Sequence, residues 1–178
     1  MTTCVALIRG INVGKAKRVA MAELRELVEG LGHRRVRTLL NSGNVVFDSA
    51  SADRAALARA LHAAILERTG VLARVVVVTR ADLDAVVAAN PLPEAVADPA
   101  RFLVAFVDAA GLAGLAPLAA RDWGAERLAL GAGAAYLCCA GGVHESPLAL
   151  AVMKAGGEAA TTRNWSTVLK LQALAGAA

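Results

Sequence analysis

Aromatic side chains are scarce in this sequence: three Phe, two Trp and one Tyr make up 3% of 178 residues. A sheet that reads RNA stacks bases on aromatics of its central strands. The first apolar segment here has none, and Phe47 is alone on the third. Nucleic-acid binding is therefore disfavoured, although a basic N-terminal part keeps it in view. Cysteine is as sparse, with Cys4, Cys138 and the adjacent Cys139. An odd number with two neighbours is no disulfide framework and fits reduced thiols, so the chain reads as cytoplasmic. Long apolar runs are missing too. The longest stretch free of charge and histidine, Leu128 to Val143, is punctuated by glycines and too short for a membrane span. Arg9 interrupts the one apolar run near the start, which speaks against a secretory signal. No membrane partner is expected.

What is abundant is alanine, 42 residues, so a hydrophobic fraction of 57% and a mean hydropathy of +0.52 reflect small side chains more than large ones. That is enough apolar content to exclude disorder, and the length suits one ordinary domain or two small ones. The net charge of +4 is unevenly placed. Residues 1–50 carry eight Lys or Arg against four Asp or Glu, whereas 51–100 carry five against six and 101–178 six against five. The whole excess lies in the first fifty residues, as a solvated arginine-rich surface or as an anion-facing patch.

Thr2 to Ile8 predicts a largely buried strand. Met21, Leu24, Leu27, Val28 and Leu31 recur at helical spacing and end at Gly30 and Gly32. Arg35 to Leu40 and Asn44 to Asp48 predict a hairpin about Asn41-Ser42-Gly43. Asp53 is placed to cap a helix with Leu57, Leu61 and Ile65 inward and Gly70 at its end, and Leu72 to Val78 is a β-branched strand. The order βαββαβ is the ferredoxin-like unit. Ala81 to Ala89 predicts a short helix, stopped by Asn90-Pro91-Leu92-Pro93. Then the pattern restarts, with a strand at Phe102 to Val107, a weak helix at Leu112 to Ala120, a hairpin about Gly131-Ala132-Gly133, and helices at Pro147 to Met153 and Trp165 to Leu174. The expectation is an α+β fold. Two tandem ferredoxin-like units, 1–80 and an incomplete 101–178 without a final strand, carry helices on one face of antiparallel sheets and flank a helix and proline-punctuated linker at 81–100.

Three polar segments interrupt the alanine-rich background. Arg9-Gly10-Ile11-Asn12-Val13-Gly14-Lys15 invites a P-loop reading, which fails: three residues instead of four separate the glycines, and Ala16 follows the lysine where a magnesium-binding Ser or Thr is needed. A looser nest of amides with Arg9 or Lys15 remains. Asn41-Ser42-Gly43-Asn44 is ordinary turn chemistry by itself. In a ferredoxin-like sheet, however, the first and third strands are antiparallel neighbours, so Arg9, Asn12, Asn41, Ser42 and Asn44 gather at one edge. Donors, acceptors and a fixed positive charge brought together suit a small polar or anionic ligand. In Thr161-Thr162-Arg163-Asn164-Trp165, Asn164 or Thr162 is either a helix cap or, with Arg163, part of an anion site at a helix N-terminus. Cys138, Cys139 and His144 lack zinc-ligand spacing, and no serine or cysteine has a nucleophile's surroundings. No metal and no cofactor is expected, and the sequence does not decide between binding and catalysis.

The stretches Ala6 to Gly14, Met21-Ala22-Glu23-Leu24-Arg25, Asn41 to Phe47 and Ala160 to Trp165, in this order and spacing, resemble the bacterial family known as domain of unknown function 1697. The resemblance covers essentially the whole chain. It implies a tandem pair of ferredoxin-like subdomains and brings no activity. Where the family often has a Gly-Arg-Ser-Lys-like stretch, this chain reads His144-Glu145-Ser146-Pro147, so no basic group is carried over there. The leading expectation is a small polar or anionic ligand held by Arg9, Asn12, Lys15, Asn41, Ser42 and Asn44, closed by Arg163 and Asn164. The alternatives are a nucleic-acid-binding module and a protein-interaction or structural module.

Overall fold

The computed structural model describes residues 1–13, 18–131 and 133–177. Lys15, among the expected site residues, lies outside them. The fold is α+β, with two four-stranded antiparallel sheets and helices, and the chain divides into two compact units. One comprises Met1–Ala81 with Leu171–Ala178, the other Asp82–Lys170.

In the first unit, β1 (Thr2–Arg9) is followed by α1 (Met21–Gly30), β2 (Arg34–Leu39), β3 (Asn44–Ser49), α2 (Arg54–Thr69) and β4 (Arg74–Thr79). The sheet order is β2-β3-β1-β4, so β1 and β3 are the central pair. Cys4, Ala6 and Ile8 alternate along β1 toward a core completed by Leu24, Leu27 and Val28 of α1, Leu57, Leu61 and Ile65 of α2, and Val45 and Phe47 of β3. Val5 and Leu7, on the opposite face, are also fully buried, which is why β1 reads as an unbroken apolar run. The i, i+4, i+8 spacing of Leu57, Leu61 and Ile65 gives α2 its stripe, each residue contributing about 1.5–3 kcal/mol over an exposed position. Its ends are where the sequence puts them. The Asp53 carboxylate accepts from the Ala56 amide at 2.9 Å, and Gly70 adopts φ 67° while its amide donates to the Leu66 carbonyl.

The second unit takes up α3 (Arg80–Ala88) from Asp82 and a 3₁₀ turn at Pro93–Ala97. β5 (Phe102–Phe106), α4 (Ala109–Gly114), α5 (Ala116–Ala119), β6 (Arg127–Gly131), β7 (Ala134–Cys138), α6 (Pro147–Gly156), β8 (Thr161–Asn164) and α7 (Trp165–Gly176) follow. The stretch 82–100 falls within this unit. It is tied in by the Tyr136 hydroxyl, which donates to the Val86 carbonyl at 2.6 Å, and by the Arg127–Glu94 ion pair at 2.8 Å. The sheet order is β6-β7-β5-β8. Leu103, Ala105, Leu137, Leu148 and Val152 form the core on one face. On the other, the Phe102 ring stacks against Trp165 at 4.9 Å and Tyr136 at 6.4 Å. The unit has a fourth strand that pattern reading omits. β8 is four residues long, half-buried and polar from Thr162 to Asn164, and so lacks the apolar alternation that announces a strand, yet it pairs with β5 from Thr161↔Phe106 to Asn164↔Leu103.

Candidate functional site

The polar residues of the first unit meet where β1 ends. Antiparallel pairing sets Leu7 opposite Asn44, and the Ile8 amide extends the ladder by donating to the Gly43 carbonyl at 2.7 Å. That approach demands glycine. Gly43 has φ 80°, and a Cβ there would stand 2.8 Å from the Ile8 carbonyl oxygen. Asn44 is fully buried, and its amide donates to the Leu39 carbonyl at 3.0 Å and the Ser42 hydroxyl at 2.9 Å. Asn44 and Ser42 therefore hold the β2–β3 turn from within.

Asn12 sits in the left-handed region at φ 55°, which asparagine tolerates better than most residues. Its Nδ2 donates to the Asn41 carbonyl at 2.9 Å and the Val19 carbonyl at 3.0 Å, and its Oδ1 accepts from the Val19 amide at 2.9 Å. One side chain thereby clasps the exit of β1, the β2–β3 turn and the approach to α1. A cleft of about 400 Å³ opens beside this clasp, lined by Asn12, Arg18, Val19, Ala20, Met21 and Asn41. Both ends of the Asn12 amide are committed to backbone, so Asn12 shapes the cleft. Among the described residues, the groups left to meet a ligand are the exposed Arg18 and Asn41, Met21, and the backbone at the start of α1. Ala20, the N-cap of α1, has extended backbone and offers no side-chain acceptor. The first-turn amides and the positive end of the helix dipole are thus uncapped by a side chain.

Two expected residues, Asn12 and Asn41, line the cleft. Arg9 reaches the same end of the sheet, but it follows Ile8 of the helix-side core and alternates to the other face, in register with Arg74. In the second unit, Arg163 Nη1 donates to the Thr161 hydroxyl at 2.9 Å and the Thr162 carbonyl at 2.8 Å. Burial pulls its pKa down to about 10, which leaves it charged at neutral pH. Asn164 caps α7: its Oδ1 accepts from the Thr167 amide at 3.0 Å and the Ser166 hydroxyl at 3.1 Å. Arg18, Val19, Ala20 and Met21 escaped the sequence reading. The signal for them is a negative one, the lack of any Ser, Thr, Asp or Asn between Val13 and Met21 to cap the coming helix.

Elsewhere, the described residues bring no three His, Cys, Asp or Glu side chains together in a way that could hold a metal. Cys4, Cys138 and Cys139 form no disulfide among the described residues, and burial pushes the Cys139 thiol up. No helix among the described residues is long and apolar enough to cross a membrane.

The fold is similar to that of a conserved bacterial protein from Streptococcus pneumoniae, with a TM-score of 0.79 over 99% of each chain at 24% sequence identity. No curated protein sequence matches the chain. Its own sequence matches one family model over residues 1–136, and on that extent the chain belongs to the family described as protein of unknown function, DUF1697.

Proposed function

We propose that the cleft beside Asn12 binds a small anionic ligand. The observation that carries this reading is the meeting, in one cleft of about 400 Å³, of Arg18 with a helix start that has no side-chain cap. Amides without a side-chain cap, the positive end of a dipole and a guanidinium all favour negative charge. The volume lies at the low end for small-molecule sites. Against nucleic acid stands the placement of Phe47, the one aromatic of this sheet, which is fully buried in the helix-side core where no base can stack on it. The matching strand orders, β2-β3-β1-β4 and β6-β7-β5-β8, support the reading of the chain as two tandem ferredoxin-like units. The three cysteines, odd in number and present as thiols, support a cytoplasmic location.

The test is titration calorimetry with inorganic phosphate and a panel of phosphorylated and carboxylated metabolites, on the native chain and on Arg18→Ala. Saturable binding of an anion, weakened about tenfold or more in the variant, supports the proposal. Absence of binding across the panel, or full affinity in Arg18→Ala, overturns it.

A further inference from the structure

We propose that the chain pairs with a second copy of itself along β4, the two β4 edges running antiparallel so that the first sheets of both copies become continuous. This pairing is independent of the anion site. It follows from how the sheet edges differ. An open edge offers unpaired backbone groups, and proteins blunt such edges with charge, bulges or very short strands. β2 carries Arg34, Arg35 and Arg37 and a register shift between Arg34 and Arg37. β6 opens on Arg127, which is paired with Glu94, and ends on Gly131. β8 is four residues long and polar. β4 is blunted in none of these ways. Its pairing with β1 is regular from Cys4↔Thr79 to Arg9↔Arg74, and every residue between Arg74 and Thr79 is valine.

The hydrogen-bond pattern fixes which backbone groups face outward. The Ile8 amide bonds toward β3, so alternation turns Val5 and Leu7 toward β4, and their partners Val78 and Val76 turn inward. The N–H and C=O of Val75 and Val77 therefore point away from the sheet, where no further strand lies among the described residues. A two-fold axis through Val76 sets Val75 opposite Val77 of the second copy, and the two exchange backbone hydrogen bonds on both sides of the axis. Moving the axis to Val77 would use the same outward groups but set Arg74 against Arg80 of the second copy. Charge thus selects the register centred on Val76. The helix beside this edge agrees. Arg68 of α2 reaches Glu23 and Glu26 of α1 at 3.6 and 3.4 Å. Leu66, two residues earlier, lies about 200° around the helix, on the flank away from α1. One turn before it, His62 Nδ1 is 2.6 Å from the Ala73 carbonyl at the approach to β4. Leu66 is 40% exposed and Leu72, just before β4, 54%. The two-fold brings the α2 helices of both copies to one face, where apolar surface of this kind is withdrawn from water.

The experiment is sedimentation equilibrium on the native chain, on Val75→Pro, on Val76→Lys, on Val76→Glu and on an equimolar mixture of the last two. A melting transition confirms that each variant folds. Proline at position 75 removes an outward N–H and leaves the ladder with β1 intact. A charge at position 76 faces its own copy across the axis, so Lys and Glu each repel themselves and attract one another. The expected result is a native dimer, self-association weakened about tenfold or more in each variant, and recovery of the dimer in the mixture. If Val75→Pro does not fold, the charge pair decides alone. A native chain that stays monomeric up to about 100 μM overturns the proposal. So does a dimer that persists unweakened in the variants, or a mixture that associates no more tightly than its components.

Discussion

Asn12 is the residue on which the cleft's geometry turns, because one short amide replaces three backbone partners that no strand or helix supplies. Truncation at Asn12→Ala removes the acceptor of the Val19 amide and the donor to two carbonyls. It also leaves a less tolerant residue at φ 55°. The position is only half-buried, so water recovers part of the loss, and the expected cost is about 1–3 kcal/mol in denaturant unfolding. Asn12→Asp should cost more despite its closer shape, since it sets a carboxylate oxygen against the Asn41 and Val19 carbonyls where a donor stood. A smaller loss in Asn12→Asp than in Asn12→Ala would mean that the clasp as oriented here is wrong. The same residue explains why the site was half legible in sequence. That Asn12 and Asn41 meet follows from strand order alone, whereas the use of the Asn12 amide on backbone depends on the path of residues 18–20, which no spacing rule specifies.

At the level of elements, β3 and the residue just before β2 carry two titrating groups, Asp48 and His33, and both lose stabilisation as pH falls, in different ranges. Asp48 of β3 accepts hydrogen bonds from Arg35 and, at 2.9 Å, from the Thr3 hydroxyl, and the Arg35 bond above all holds its carboxyl below the usual range. Its stabilisation is present above the ordinary carboxylate value and is lost as pH falls through the depressed one. His33, whose ring lies 4.7 Å from Phe47, has its pKa lowered by burial from 6.5. The unfolded chain takes up this proton first, so stability should begin to fall as pH drops through about 6.5 and continue down to the lowered folded value. His33→Gln should flatten the decline that begins as pH drops through about 6.5 and leave the acid limb in place, while Asp48→Asn should act on that lower limb. Identical profiles for the native chain and His33→Gln near neutrality would remove His33 from the account. Elements differ in legibility for equally physical reasons. α2 announces itself through Asp53, Gly70 and a three-residue stripe, all local devices. β8 does not, because its pairing with β5 is a long-range event that its polar side chains do not advertise.

For the whole molecule, the division of the chain is the least local property and the one composition says least about. The charge excess belongs to residues 1–50, in the first unit, but nothing in the alanine-rich C-terminal residues signals that Leu171–Ala178 belong there as well. The end of α7 approaches Arg80, a Cβ at Gly176 lying 3.6 Å from the Arg80 Nη2 atom, and Leu171 is fully buried with Ala175 nearly so. Burying a leucine contributes about 1.5–3 kcal/mol, a large share of the margin by which a small unit is stable. A chain ending at Lys170 should therefore lose stability chiefly in its first unit. Hydrogen exchange measured strand by strand should show faster exchange in β1, β3 and β4 than in β5 and β7. Protection lost only within residues 82–170 would assign the end of α7 to the second unit instead. Equal protection in both chains would show that the eight C-terminal residues add nothing to either.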